Sequence, residues 1–297
     1  MHASLGKLEG PVLVFGGPYS NFQALEAMYA RAQELKIPPH NIICTGDIVA
    51  YCAQPQECVD LIRDWGIHAV QGNCETSIGY DEDDCGCGFE ENSACDLASK
   101  EWFSFSRQRV TSNAKAWMRE LPFSISFEFQ NNRYHCIHGT HDVQNTFVFA
   151  STDQTKKQRA FDAVSADIII GGHCGLPFAS EVTEHKLWLN AGVIGMPAND
   201  GSPQTWYMLI SPSSDSNKEQ EAQDKQEKHE QSKSADVSWH RLEYDYAKTI
   251  EKMQDERLAK GYQESLQTGL WPNMDILPET EKRSVGIPID LPTVSVE

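Results

Sequence analysis

Four polar residues stand where predicted strands end: Asp47 in TGDIVAY, Asn73 in QGNCE, His138 in CIHGT and His173 in GGHCG. A carboxylate, an amide oxygen and two imidazoles form a donor set for a divalent transition metal such as Mn²⁺, Fe²⁺ or Zn²⁺. A glycine lies beside each and lets the backbone turn sharply. Taken singly, such residues are ordinary turn residues or helix caps. Taken together they can converge, because the carboxyl ends of strands in an open α/β sheet border one crevice.

A second group is the loop CETSIGYDEDDCGCGFEENSACD, where Cys74, Cys85, Cys87 and Cys95 lie close together. Four thiolates would suit Zn²⁺ or an iron–sulfur centre, so a second metal bound by Cys85, Cys87 and Cys95 is one reading. The spacing is not a common zinc-ribbon pattern. Unpaired thiols in an acidic surface patch, or a redox role, are the other readings. The acids at 81–84 and 90–91 read as a solvated face that repels anions unless cations intervene. His135, three residues before His138, points to the opposite face of a strand and reads as a packed or surface histidine.

The elements that must position these groups alternate in the first half. Val12 to Phe15 is a buried strand closed by Gly16 and Gly17. Asn21 is a plausible N-cap for a helix with Phe22, Leu25, Tyr29 and Ala32 on one side, stopping before Pro38. NIICTGD is the second strand. Pro55 opens a helix carrying Cys58, Leu61, Ile62 and Trp65, and IHAVQGN is the third strand. Strands separated by helices imply a parallel sheet with helices outside. Residues 76–97 read as a loop, followed by helices at Leu97–Arg109 and Ser112–Leu121. YHCIHG, DIIIGGH, LWLNAG and TWYMLI read as strands, with a helix near Gln154–Val164. Residues 212–236 carry no large apolar side chain and read as a disordered insertion before the strand VSWHRLEY. A helix near Tyr246–Lys260 and the tail TGLWPNMDILP pack back on the same domain, giving 1–211 as the main domain and 237–297 as its last strand, helix and tail.

The chain has 297 residues, with 25 Lys plus Arg against 43 Asp plus Glu, a formal charge of −18. That balance argues against nucleic acid and anionic membranes as partners, since both need a basic face. A small phosphorylated substrate held through a metal remains open. The apolar runs fall short of the ~20 residues of a membrane span, and the polar N-terminus lacks a signal-peptide core. Nine cysteines, an odd number, several inside apolar runs, read as reduced or metal-bound thiols in a cytoplasmic protein, not as a disulfide framework.

Across roughly residues 11–211 these motifs resemble the calcineurin-like metallophosphoesterase family, most closely its small bacterial phosphodiesterase branch. GDIVAYCAQPQECVDLI is similar to that branch's Gly-Asp turn and helix, GNCE to its Gly-Asn-His-Asp/Glu motif, IHG to its Val-His-Gly strand end, GGHCGLPF to its Gly-His-Thr-His motif, and LNAGVIGMPANDG to its Asn-Pro-Gly-Ser-Val-Gly turn. The resemblance implies an α/β fold: a two-sheet β-sandwich flanked by helices, four layers αββα, with two metals at the strand ends. It implies that Asp47 bridges the metals and that Asn73, His138 and His173 bind one of them. The other half-site departs from the pattern. Gly17 and Tyr19 stand at the Asp-x-His positions, Gly175 at the second His of Gly-His-x-His, and Cys74 where a histidine would serve as general acid. Ala198 stands where an Arg is often available for phosphate.

The leading expectation is a metal-dependent phosphoester hydrolase, phosphatase or phosphodiesterase, with one metal half-site kept and the other lost or rebuilt. Cys74 and Tyr19 are the candidate catalytic groups and Asn21 the candidate substrate contact. Tyr19, Tyr51 and His141 are candidates for a rebuilt second site. A phosphorylated small molecule or protein is the expected substrate. The alternatives are a non-catalytic binding or scaffold protein on this fold, and a thiol-based metal or redox sensor.

Overall fold

In the strand Val12–Phe15 every side chain is fully buried, and their alternation decides where each goes. Val12 and Val14 pack with residues of a second sheet, while Leu13 and Phe15 pack with helices. A strand buried on both faces needs cover on both, which dictates layers. The structure, a computed structural model, describes residues 1–90, 93–213 and 234–296.

One sheet comprises, in spatial order, β12 (Val294–Val296), β11 (Ala235–Leu242), β10 (Thr205–Pro212), β2 (Val12–Phe15), β3 (Ile42–Cys44) and β4 (His68–Ala69). The other comprises β1 (His2–Lys7), β5 (Ser124–Phe129), β6 (Asn132–Ile137), β7 (Ile168–Gly171), β9 (Lys186–Ala191) and β8 (Pro177–Thr183). Val14, Ile43 and Met208 from the first sheet meet Phe127, Tyr134, Ile170 and Leu189 from the second in one apolar layer. Burying side chains of this size contributes about 1.5–3 kcal/mol each. Helices α1 (Phe22–Glu34), α2 (Pro55–Trp65), α4 (Ala94–Arg109) and α5 (Ser112–Glu120) cover the outer face of the first sheet. Helix α6 (Gln154–Ala163) covers the second through Ala160 and Phe161 against Ile169 and Trp188. This is the expected αββα sandwich. The run β2, β3, β4 is parallel, and so is the run β6, β7, β9. The turns after β3, β4, β6 and β7 therefore carry Asp47, Asn73, His138 and His173 to one border.

Several local expectations change. The polar N-terminus forms β1, parallel to β5, with an exposed outer row that hides it from a search for apolar runs. Residues 76–97 are not all loop: α3 (Asn73–Gly79) occupies the start and α4 begins at Ala94. On α1 the buried stripe takes Met28, while Tyr29 lies on the exposed side. The single helix expected near Tyr246–Lys260 is two, α7 (Tyr246–Asp255) and α8 (Lys260–Thr268), broken where Arg257 adopts a φ of 58°. Pro212, Ala235 and Asp236 belong to the β10–β11 ladder, and the rest of the expected insertion, residues 214–233, lies outside the described residues. Among the described residues no helix is long and apolar enough to cross a membrane.

Candidate metal centre

Gly46 and Asp47 both take the left-handed region, at φ 97° and 55°, and turn the chain sharply after β3. His173 does the same after β7 at φ 55°. A non-glycine residue held there costs of order 1–3 kcal/mol, so surrounding bonds must enforce it. At Asp47 the enforcement is Glu75. Its buried carboxylate accepts N–H bonds from Asp47 (2.8 Å), Ile48 (2.8 Å), Val49 (3.3 Å) and Gly72 (3.0 Å). Gly72 admits no side chain, since a Cβ would lie 2.4 Å from Asp47 Oδ1.

The ring of His138 is oriented by its Nδ1, which donates to the Thr45 carbonyl at 2.6 Å. Its Nε2 then faces Asp47 Oδ2 at 3.1 Å, Asn73 Oδ1 at 3.1 Å and His173 Nδ1 at 3.2 Å. The Asn73 amide is fixed the same way round, because its Nδ2 donates to the Cys85 carbonyl at 2.9 Å. Four electron-pair donors thus meet, with only the ring protons that the tautomers of His138 and His173 place there to share between them. A cation at that point would relieve their mutual repulsion. Orientation of metal-binding imidazoles by a carbonyl partner is the usual outer arrangement of such sites.

The charges agree with this fit. Burial works to raise the Asp47 carboxyl, but His138 outweighs it and holds the group below its ordinary value. Burial would lower His138, and Asp47 outweighs that and raises it. Burial, then His138, push His173 down to about 3, so it presents a neutral imidazole. Glu75 is pushed up to about 7 by burial and then by Asp47. Among the described residues Asp47, His138 and His173 are the only three His, Cys, Asp or Glu groups whose ligand atoms lie within 4.8 Å of one another.

Residues 20–215 match the Calcineurin-like phosphoesterase superfamily domain. The chain belongs to the calcineurin-like phosphoesterase superfamily. An uncharacterized protein of Methanocaldococcus jannaschii is 24% identical over 272 residues, covering 87% of this chain and 98% of the relative. A metallophosphoesterase from Sphaerobacter thermophilus shares the fold with a TM-score of 0.62 at 20% identity, covering 89% of this chain and 100% of its own. A hypothetical protein from Pyrococcus horikoshii OT3 does so with a TM-score of 0.67 at 16% identity, covering 88% and 99%.

The phosphoesterase-superfamily fold brings all four strand-end residues together, but not every other candidate. Asn21 does not line the cavity at this centre. Its Oδ1 caps α1 at Ala24 N and accepts from Thr249 Oγ1, and its Nδ2 donates to Gly195 O, so all its polar atoms are occupied inside the protein. The thiols of the Cys loop do not gather into a tetrathiolate. Cys85 and Cys87 are joined as a disulfide, and Cys95 Sγ bonds Asn273 Oδ1 at 2.9 Å. Cys74 does adjoin the centre, its backbone N–H meeting Asp47 Oδ1 at 3.3 Å. Burial, then Asp47, raise its thiol, which keeps it protonated and makes it a weaker acid than a histidine would be. His141 sits beside Asp142, outside the donor set, and His135 stacks on His2.

Tyr19 packs beside Gly17 and Gly175. Its ring lies 2.6 Å from where a Cβ on Gly17 would stand, and its hydroxyl 3.9 Å from one on Gly175. Tyr51 packs edge-on against it at 4.8 Å and also touches Trp102 and Tyr262, a packing role. Above Tyr19, Asp47 and His173 lies a small, partly open cavity of about 80 Å³. Phe89, Phe147, Tyr262 and Trp271 form much of its wall, and sequence reasoning assigned none of them to the site. Glu75 was also missed, although its place as the acid of GNCE was a usable signal. The turn at 198–200 serves the wall: Asn199 Oδ1 accepts from the Trp271 N–H at 2.8 Å, and Asp200 pairs with Arg241.

Proposed function

We propose that this chain hydrolyses phosphoesters with one divalent transition metal, Mn²⁺, Fe²⁺ or Zn²⁺, held by Asp47, Asn73, His138 and His173. The observation that carries the reading is the convergence of donors on His138 Nε2 at 3.1–3.2 Å, beside a cavity reached by Asp47 and His173. A metal at such a point polarises a phosphoryl oxygen and lowers the pKa of water. The chain's own groups hold and orient. Thr45 aims His138, the Cys85 carbonyl aims Asn73, and Glu75 fixes the backbone of Asp47. Burial, then Asp47, keep the Tyr19 phenol protonated, so it can offer an O–H to a substrate oxygen at the cavity floor. The substrate is a phosphorylated small molecule or a phosphorylated protein group of similar size.

Elemental analysis of protein purified without added metal should give one transition-metal ion per chain, and His173→Ala should lose it. Aryl phosphate esters should then turn over with at least one of the three metals. The reading fails if none of the metals supports turnover and His173→Ala keeps its metal content. One bound metal with no turnover of any ester would leave a binding or scaffold protein.

A further inference from the structure

Residues 85–87 bear on the metal ligands through their backbone. The Cys85 carbonyl accepts from Asn73 Nδ2 at 2.9 Å, and the Gly86 carbonyl accepts from Asn145 Nδ2 at 2.9 Å. The carbonyls of Cys87 and Asn145 both face the ring of His173. Three consecutive carbonyls thus reach two of the candidate ligands, directly or through Asn145. The turn that aims them needs glycine: Gly86 and Gly88, on either side of Cys87, take φ 62° and 73°. The Cys85–Cys87 disulfide closes that turn, and Cys87 Sγ lies 3.5 Å from Asn73 Nδ2.

A bridge between residues two apart does little for global stability, because the loop it removes from the unfolded chain is of the shortest kind. It belongs to no framework either, since the other seven cysteines are free. Its effect is local. Joined, the two sulfurs restrict the dihedral angles of residues 85–87 and keep the Cys85 and Cys87 carbonyls on their targets. Separated, a turn with a glycine at its centre regains freedom, and Asn73 and His173 lose fixed partners. Orienting partners of this kind are worth about 10–100-fold in metal affinity. The bridge also lies where a reductant can meet it. Cys87 lines the partly open cavity, and the exposed residues Asp84 and Gly88 flank the turn.

We propose that the Cys85–Cys87 pair is a redox-controlled clamp on the metal centre: joined, it holds Asn73 and His173 in the arrangement that binds a divalent ion, and opened by a dithiol reductant, it loosens them. The inference rests on the metal centre proposed above. The reductant is a small dithiol or a protein with a Cys-x-x-Cys pair. One of its thiolates attacks a bridge sulfur, the S–S bond breaks, and the electron pair leaves on the other cysteine, which takes a proton. The second thiol of the reductant then displaces the first cysteine from the mixed disulfide. Two electrons and two protons end on Cys85 and Cys87 as thiols, and the reductant departs as its disulfide.

The test uses the full chain in two states, one oxidised with oxidised glutathione and one reduced with dithiothreitol that is then removed under argon. Alkylation with iodoacetamide in denaturant, read by mass spectrometry, should count seven labelled cysteines in the first state and nine in the second. Peptide mapping should place the bridge at 85 and 87. Calorimetry then reads Mn²⁺, a metal that favours oxygen donors over thiolates. Its affinity should fall by about tenfold or more on reduction and return on reoxidation, while the metal-free protein keeps one cooperative thermal transition in both states. The double variant Cys85→Ser, Cys87→Ser should bind Mn²⁺ as the reduced parent does and ignore the dithiol. Nine labels in the oxidised state, or Mn²⁺ bound equally in both states, would overturn the clamp and leave the metal centre standing. A fall in affinity that comes with loss of the cooperative transition would overturn it too, since the bridge would then be a staple of the fold. Binding of none of Mn²⁺, Fe²⁺ and Zn²⁺ in either state would remove the centre itself, and the clamp with it.

Discussion

Replacing Glu75 with Gln tests whether one buried carboxylate holds the metal-binding turn. Each of its oxygens serves two backbone donors: Oε1 accepts from Ile48 and Val49, and Oε2 from Asp47 and Gly72. A glutamine keeps one oxygen and sets an NH₂ group against the other two N–H groups. Two buried backbone donors left unpaired cost about 1–3 kcal/mol each. Losing the charge also removes its repulsion with Asp47, which offsets part of this. The expected net loss is about 2–4 kcal/mol, a large share of the ~5–15 kcal/mol that holds a typical domain. Urea unfolding at pH 7.5 should therefore show a lower midpoint with an unchanged slope. Mn²⁺ affinity by calorimetry should fall by about 10–100-fold, as when an orienting partner of a ligand is lost. If Glu75→Gln matches the parent protein in both midpoint and Mn²⁺ affinity, the turn is held by something else and the account of Asp47 is wrong.

Two further outcomes follow from the same geometry. Gly72→Ala places a Cβ 2.4 Å from Asp47 Oδ1, so the turn must shift; the expected cost is about 1–3 kcal/mol, as for overpacking, together with weaker metal binding, and a variant with unchanged Mn²⁺ stoichiometry and thermal midpoint would contradict it. His135, pushed down to about 4 by burial and then by His2, stays neutral in the fold while the unfolded chain takes up its proton below the ordinary histidine value. Stability should then fall as pH drops from about 6.5 towards 4, because the unfolded state binds the extra proton. His135→Asn should flatten thermal midpoints measured across that range, and parallel pH profiles for the two proteins would refute the assignment.

Asp47, Asn73, His138 and His173 were readable because each follows a strand and sits by a glycine, and the parallel order of the strands leaves them one border to share. Glu75 was within reach, three residues after Gly72, yet its role depends on backbone donors that only the folded turn of Asp47 presents. Asn21 was misread as a substrate contact because an N-cap and a site residue look alike in sequence, and the difference is made by Gly195 and Thr249, which arrive from far along the chain. Of the readings left open for the Cys loop, the thiolate metal site does not form, for a similar reason. Thiol spacing says that four sulfurs are near in sequence, but Cys85 met Cys87 and Cys95 met Asn273 from the C-terminal tail.

Sequence alone determined the alternating strands and helices and the donor set at the strand ends, because hydrophobic period and turn residues are local properties; the two-sheet sandwich was implied only by the family resemblance. Tertiary structure alone decided the aromatic wall and the packing of Tyr19. Phe89, Phe147, Tyr262 and Trp271 come from four separate segments, and each taken singly is a core aromatic like any other. Tyr19 closes the space beside Gly17 and Gly175 through a backbone turn at φ 52° that only long-range bonds, such as its N–H to the Asp47 carbonyl at 3.2 Å, can hold. Which side chains border a cavity is set by how distant segments pack, and that packing leaves no periodic mark in any one of them.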